Sequence, residues 1–244
     1  MDPREYDIMF QMEERHWWYL GMESITRALL DRRVKPNSRI KILDAGCGTG
    51  AAMTTYLADY GDVTGVDLYI EAVALSRRRN ASRLARASVL DLPLASASFD
   101  LVTSFDVLCE RGVADEVQAF REFFRVLIPG GQVLIRLPAY EWLRGRHDER
   151  VHIRRRFNAR VLKSLLEEGG FHVEHVSYAN ALLFPVAFAK RISERIIPRV
   201  GDVSDFEIGG MNDLFRHILS WEAPLVSGSG LPYGLSLYAI ARKP

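Results

Sequence analysis

The chain has 244 residues, 48% of them hydrophobic and 26% charged. These proportions exclude a disordered, collagen-like or coiled-coil protein and suit one large α/β domain or an ordinary domain with an elaboration. Lys plus Arg number 32 against 31 for Asp plus Glu, so no global field steers the chain toward nucleic acid or a charged membrane, and such a partner would need a local patch. Cys47 and Cys109 show neither metal spacing nor a disulfide framework, and MDPREYDIMF is not a basic-then-apolar leader. The expectation is a reduced, cytoplasmic protein with no metal. The most apolar run, Ala179 to Ala189, is about half of the roughly 20 residues that a spanning helix requires.

Residues 1–35 read as helical, with Ile25, Leu29 and Leu30 at helical spacing and Pro36-Asn37 as a stop. A strand at Ile40 to Leu43, a glycine turn, a helix at Ala51 to Tyr60 and a strand at Val63 to Val66 form a βαβ unit. The alternation continues with a helix from Glu71 to about Asn80, a short strand near Ala87 to Leu90 and a strong strand from Phe99 to Ser104. A helix follows at Asp115 to Leu127, with Val117, Phe120, Phe124 and Leu127 on its apolar face; then come a turn at Pro129-Gly130-Gly131 and a strand at Gln132 to Leu137. Asn158 to Glu168 is a helix stopped by Gly169-Gly170, and Phe171 to Tyr178 is a strand. About fifty residues, Ala181 to Gly230, then read as irregular and helical before a last strand at Leu235 to Ala241. The pattern specifies a doubly wound α/β sheet with its ligand outside the carboxyl ends of the strands. One domain over 1–244 is expected, with 1–35 a helical lid, 36–178 and 231–244 the cofactor-binding core, and 179–230 a helical cap carrying substrate contacts.

In Leu43-Asp44-Ala45-Gly46-Cys47-Gly48-Thr49-Gly50 a strand ends and a helix begins. Glycines there let the backbone pass close under a ligand, and a helix N-terminus offers free N–H groups. Gly46, Gly48 and Ala51 also satisfy the relaxed dinucleotide fingerprint. Asp44 argues otherwise, because a carboxylate beside the turn repels a pyrophosphate and attracts an ammonium group. Asp67 closes the second strand, 21 residues after Gly46, where an acidic side chain accepts hydrogen bonds from both ribose hydroxyls. Asp91, in Val89-Leu90-Asp91-Leu92-Pro93, is placed to accept from an exocyclic amine such as adenine's. A helix cap at Asp44 and turn chemistry at Asp91 are the structural alternatives.

Adenosine joined to an amino-acid head group describes S-adenosylmethionine, and the chain resembles the class I S-adenosylmethionine-dependent methyltransferases. The matching segments are LDAGCGTG at 43–50, GVDLY at 65–69, VLDLPLASASFDLV at 89–102, DVL at 106–108 and FREFFRVLIPGGQVLIRLPA at 120–139. The resemblance covers roughly residues 35–178 plus the last strand, nearest to the UbiE/type 11 methyltransferase domain of bacterial small-molecule enzymes. It implies a Rossmann-like seven-stranded sheet, mostly parallel with an antiparallel last strand. It places Asp44, Gly46, Cys47 and Gly48 near the methionine moiety, Asp67 at the ribose, Leu68 on the adenine face, Asp91 and Leu92 at the adenine edge, and Phe105 at the end of the fourth strand.

Methyl transfer is an in-line displacement at an activated carbon, so alignment supplies much of the catalysis, and only some acceptors need a base. After the fourth strand Glu110 stands where relatives carry histidine, and is a candidate base or amine ligand. After the fifth, Tyr140, Trp142, Arg146 and His147-Asp148 resemble a bacterial subgroup that reads P-A-Y-x-W-L-x-G-x-H-D, later Y-A-N-x-L-L-F-P and L-P-x-G-x-S-L. His147 is a second candidate base, oriented by Asp148. Trp17 and Tyr19 in the leading helix, with Tyr140, Trp142 and Arg146, are candidate acceptor contacts. Arginines from Arg144 to Arg160 are a solvated face or, turned inward, a site for an anionic substrate. The apolar Ala181 to Ala189 stretch with its basic flank Lys190, Arg191, Arg195 and Arg199 packs over the sheet or rests on a membrane, where a lipid, quinone or lipid-linked sugar would be the acceptor. The expected reaction is methylation of a small molecule at oxygen, nitrogen or carbon by a monomer or homodimer, without nucleic acid. A catalytically silent binding subunit and an NAD-dependent oxidoreductase are the remaining readings.

Overall fold

The computed structural model describes residues 3–186, 188–189 and 211–244, apart from the side chains of residues 3, 146 and 147. Seven strands form one sheet: β1 Ile40–Ala45, β2 Gly61–Asp67, β3 Leu84–Arg86, β4 Phe99–Phe105, β5 Leu127–Pro138, β6 His172–Ala179 and β7 Ser236–Arg242. Their order is β3-β2-β1-β4-β5-β7-β6. Neighbours from β3 to β5 pair in parallel, while β7 runs antiparallel between β5 and β6. The order reverses at β1, which lies between β2 and β4, and a crevice opens there at the carboxyl ends.

Each central strand is apolar on both faces because helices cover both. Leu43, Val102, Val133, Ile135, Leu237 and Ala239 enter one core with Phe120, Phe123 and Leu162 of α5 (Glu116–Val126) and α7 (Ala159–Glu168). Ile42, Leu101, Leu134, Tyr238 and Ile240 enter the other core, with Met22, Ile25 and Leu29 of α2 (Trp17–Asp31) and Leu219 and Val226 of α8 (Asn212–Ser227). This alternation is the period-two signature of a doubly covered sheet. The crossovers on the β1 side are α3 (Ala51–Thr55) and α4 (Ile70–Arg78); α6 (Arg146–Arg150) follows β5.

Four local readings need correction. The leading helix is two: α1 (Pro3–Met12) and α2 are separated at Glu13 to His16, where Asn212 Oδ1 accepts from Trp17 N at 2.8 Å and Asn212 Nδ2 donates to Arg15 O at 2.9 Å. Of the expected lid, α2 is a core helix packed on α8, and α8 of the expected cap is core as well. The Pro129-Gly130-Gly131 turn is absorbed within β5, as an irregularity between the Phe99–Leu127 and Leu101–Gln132 pairs. Finally, β3 lies at Leu84–Arg86, upstream of the expected Ala87 to Leu90, because β2 pairs with Leu84 to Arg86. No described helix is long and apolar enough to cross a membrane.

Candidate functional site

Where β1 ends, Asp44 is buried, and its Oδ1 accepts a hydrogen bond from Thr103 Oγ1 on β4 at 2.8 Å. Burial pushes this carboxyl up to about 7, Thr103 opposes the rise, and the charge of Asp67 adds to it. No ion pair reaches Asp44 among the described residues. A buried carboxylate of this kind suits a ligand that brings its own positive charge.

The chain then turns through Gly46 and Gly48, at φ +88° and +55°. Such angles favour glycine at both positions, and at Gly46 space demands it too, since a Cβ there would lie 2.1 Å from Val107 Cγ2. The N–H groups of Gly46 and Cys47 are taken by Val66 O, while Gly48 N donates to Asp67 Oδ2 at 2.9 Å. Asp67 Oδ1 accepts from Tyr69 N at 3.0 Å, so the carboxylate at the end of β2 is held rigidly against the turn. Burial raises it above the ordinary aspartate range, and the backbone donors pull it back.

These residues line a cavity of about 900 Å³, near the upper end of the range for small-molecule sites. Asp44, Gly46, Cys47, Gly48, Asp67, Leu68, Phe105 and Glu110 border it, as do Trp17 and Tyr19. Asp91 and Leu92 do not. Asp91 is exposed, and Leu92 is buried in the α5 core with its N–H on Glu122 Oε2 at 2.8 Å. The placement of β3 is the reason: the residues that leave its carboxyl end are Ala87, Ser88 and Val89, and these line the cavity. Tyr140 and Trp142 are also off the lining. They stack on each other at 5.5 Å, and Tyr140 stacks on Tyr178 at 5.1 Å. The side chains of Arg146 and His147, and the basic flank from Lys190 to Arg199, lie outside the described residues. The carboxylate of Asp148 is engaged by Arg156 at 2.7 Å and by Gly145 N at 2.7 Å.

The far half of the cavity is built from the ends of β4, β5 and β6. Past each strand stands a non-glycine residue with positive φ: Asp106 at 60°, Tyr140 at 56° and Asn180 at 61°. Such conformations persist only where their surroundings hold them. Asp106 Oδ2 accepts from Arg136 Nη2 at 2.8 Å, and the Arg136 guanidinium lies 4.9 Å from the Trp18 ring centre and 5.0 Å from that of Phe105. After Asn180, the buried Glu222 accepts from the N–H groups of Ala181 and Leu182 at 3.1 and 2.7 Å. Glu110, on the loop after β4, is paired across a bridge with Ile153. Burial and the neighbouring carboxylates Asp67 and Asp106 push its carboxyl up to about 7. Sequence reasoning missed Arg136 and Asn180 in this wall, and held Arg150 only as one of a run of arginines. An asparagine after an apolar strand is the one local signal, since Asn tolerates left-handed backbone.

The residues fit S-adenosylmethionine. An uncompensated buried carboxylate stands beside a turn that a Cβ would fill, and a second carboxylate closes the neighbouring strand. Residues 43–135 match the methyltransferase domain family. A Mycolicibacterium smegmatis protein named "probable S-adenosylmethionine-dependent methyltransferase" is 31% identical over 167 residues, covering 67% of this chain and 62% of that one. A demethylmenaquinone methyltransferase of Staphylococcus aureus is 35% identical over 102 residues, 39% of this chain and 42% of that one. The chain therefore spans less than two thirds of the length of either relative. A solved S-adenosylmethionine-dependent methyltransferase from Thermotoga maritima superposes with a TM-score of 0.61 at 16% identity, covering 99% of this chain and 95% of that one, which shows a shared fold. In its domain match over residues 43–135, its relatives and its sheet order, the chain is similar to the class I S-adenosylmethionine-dependent methyltransferases.

Proposed function

We propose that the protein transfers the methyl group of S-adenosylmethionine to a small-molecule acceptor and releases S-adenosylhomocysteine. When bound, the cofactor supplies a methyl carbon on a positively charged sulfur, an electrophile that needs alignment more than activation. In this reading Asp44 receives the ammonium group, the Gly46–Gly48 backbone lies under the methionine moiety, and Asp67 accepts from the ribose hydroxyls. Leu68 and the Ala87 to Val89 segment border the adenine. The observation that carries the reading is the buried Asp44 beside the glycine turn, hydrogen-bonded to Thr103 and without an ion pair among the described residues.

Glu110 is the proposed base. It lines the cavity, and a carboxyl at about 7 is poised to take a proton from an acceptor hydroxyl or amine near neutral pH. The acceptor lone pair then forms the bond to the methyl carbon as the carbon–sulfur pair leaves with sulfur. Incubation with methyl-labelled S-adenosylmethionine and a small-molecule extract should yield a labelled acceptor and an equal amount of S-adenosylhomocysteine. Product formation no faster than in the absence of the protein would refute the activity.

A second reading, methylation of a quinone or lipid at a membrane surface, is supported by one feature. Trp142, Phe188 and Tyr233 are 47%, 41% and 48% exposed and cluster around Phe184, beside Leu183 and Val186 of the cavity lining. The Staphylococcus aureus relative is named for a quinone substrate. Failure to co-sediment with anionic vesicles at low salt would eliminate this reading.

A further inference from the structure

Among the described residues, few buried side-chain polar atoms lack a hydrogen-bond partner, and two of them, Asn180 Oδ1 and Arg150 Nε, belong to residues of the cavity lining. Arg79 and Arg154 also carry an unpaired Nε, but their other nitrogens are committed to Glu13, Glu14 and Glu116. The other cations of the far half are neutralised as well, Arg136 by Asp106 and Arg156 by the fully buried Asp148. Arg150 has no acidic partner among the described residues. A buried polar atom without a partner is costly, so two of them on residues of one cavity point to a ligand that supplies the missing partners.

The two residues belong to one continuous wall. Asn180 O accepts from Leu235 N at 3.4 Å, Leu235 O accepts from Ala139 N at 2.9 Å, and Ala139 O accepts from Arg156 Nη1 at 3.0 Å. Arg156 is tied in turn to Asp148 of α6, the helix that ends at Arg150. Asn180 is held from both sides, by Leu235 on its carbonyl and by Glu222 on the two N–H groups that follow. Its backbone is therefore fixed where the side chain leaves it, and the residue is buried in the wall. Around this wall the lining is apolar, from Leu143, Val151, Ile153, Leu183 and Phe215. A planar guanidinium matches a carboxylate or phosphate, whereas an amide oxygen takes a hydroxyl or amine hydrogen.

We propose that Arg150 and Asn180 bind the methyl acceptor, and that this acceptor is an anionic small molecule with an apolar body, its carboxylate or phosphate on Arg150 and a hydroxyl or amine hydrogen on Asn180 Oδ1. The assignment rests on the methyltransferase reading of the same cavity. It turns part of the arginine-rich stretch after β5 from a solvated face into a wall, in which Arg156 is paired with Asp148 and Arg150 has no acidic partner among the described residues. It also sets the acceptor on the same cavity as Glu110, which takes its proton.

The test uses the full chain saturated with S-adenosylhomocysteine and titrated separately with phenyl phosphate, 4-hydroxybenzoate, benzoate and uncharged benzyl alcohol. The anions should bind and benzyl alcohol should not. Phenyl phosphate against the two carboxylates identifies which oxyanion is preferred. Arg150→Met should weaken anion binding tenfold or more, Arg150→Lys should restore part of it, and neither should change the affinity for S-adenosylhomocysteine. Asn180→Gly, which keeps the left-handed backbone, should erase the preference for 4-hydroxybenzoate over benzoate. Anion binding equal in the parent and Arg150→Met, or benzyl alcohol binding as tightly as the anions, overturns the proposal. Absence of S-adenosylhomocysteine binding overturns the methyltransferase reading instead.

Discussion

The two halves of the cavity are made differently. The half at β1 and β2 comes from two neighbouring strand ends whose contacts are largely backbone: the turn packs so closely at Gly46 that a side chain is excluded, and Asp67 is held by two N–H groups. The half at β4, β5 and β6 is assembled from residues far apart in the chain, Asp106, Glu110, Arg136, Arg150 and Asn180, held by ion pairs and by left-handed residues past the strand ends. Under the proposed function the first half takes the cofactor and the second takes the acceptor, which fold alone does not name.

Substitutions should divide along that line. The largest effect is expected from Glu110→Gln, which should lower turnover about 10²- to 10⁴-fold for an acceptor that must lose a proton, with little change in cofactor affinity. In the parent enzyme turnover should rise with pH through about 7, where Glu110 titrates, and Glu110→Gln should lose that limb. Unchanged turnover in the variant would remove Glu110 from the chemistry.

Next in size, Asp67→Ala should weaken S-adenosylmethionine binding roughly tenfold to a hundredfold, because two hydroxyls lose a charged acceptor. Calorimetry indistinguishable from the parent would break the ribose assignment.

Asp44→Asn follows, with an effect that depends on pH. The parent carboxyl titrates at about 7 in the folded protein, and its charged form receives the ammonium, so cofactor affinity should fall as pH drops from 8 to 6. Asp44→Asn should bind more weakly at pH 8 and show little change over that window. Stability has the opposite sign. A carboxyl raised above its unfolded value favours the fold at low pH, and this contribution is lost as pH rises through about 7. The Asp44→Asn protein should therefore melt higher than the parent at pH 8 in the absence of cofactor. Asp67, Arg136 and Glu13 also act on Asp44, so the titration measured will be that of the group in its setting.

The smallest effect is expected at Trp142, which is 47% exposed and off the cavity lining. Trp142→Ala should change cofactor affinity less than about twofold, within the range of surface substitutions. A larger loss would mean that the aromatic cluster reaches the site.

The same division governs what could be read from the chain. The βαβ unit and glycine turn were legible because the apolar Ile42-Leu43 of β1 leads into Asp44 and Gly46, and the short Val63 to Val66 stretch of β2 leads into Asp67. β3 was displaced because Leu84-Ala85-Arg86 is too short to show a period, and with it the expectation put Asp91 and Leu92 on the cavity that Ala87 to Val89 line. In the acceptor half, Glu110 was visible as a departure from a familiar loop. Arg136 looked like an ordinary strand residue, and Arg150 like one arginine among many. Asn180 acquires meaning only through Glu222 and Leu235, 42 and 55 positions onward. Tertiary pairing made these sites, and local patterns do not carry it.

The central claim is that the Asp44–Asp67 turn holds a sulfonium amino-acid nucleoside and not a dinucleotide. Calorimetric titration of the purified protein with S-adenosylmethionine and, separately, with NAD tests it most directly. The account predicts a saturable one-site isotherm for S-adenosylmethionine and no heat of binding for NAD. Binding of NAD, or of neither compound, would contradict it.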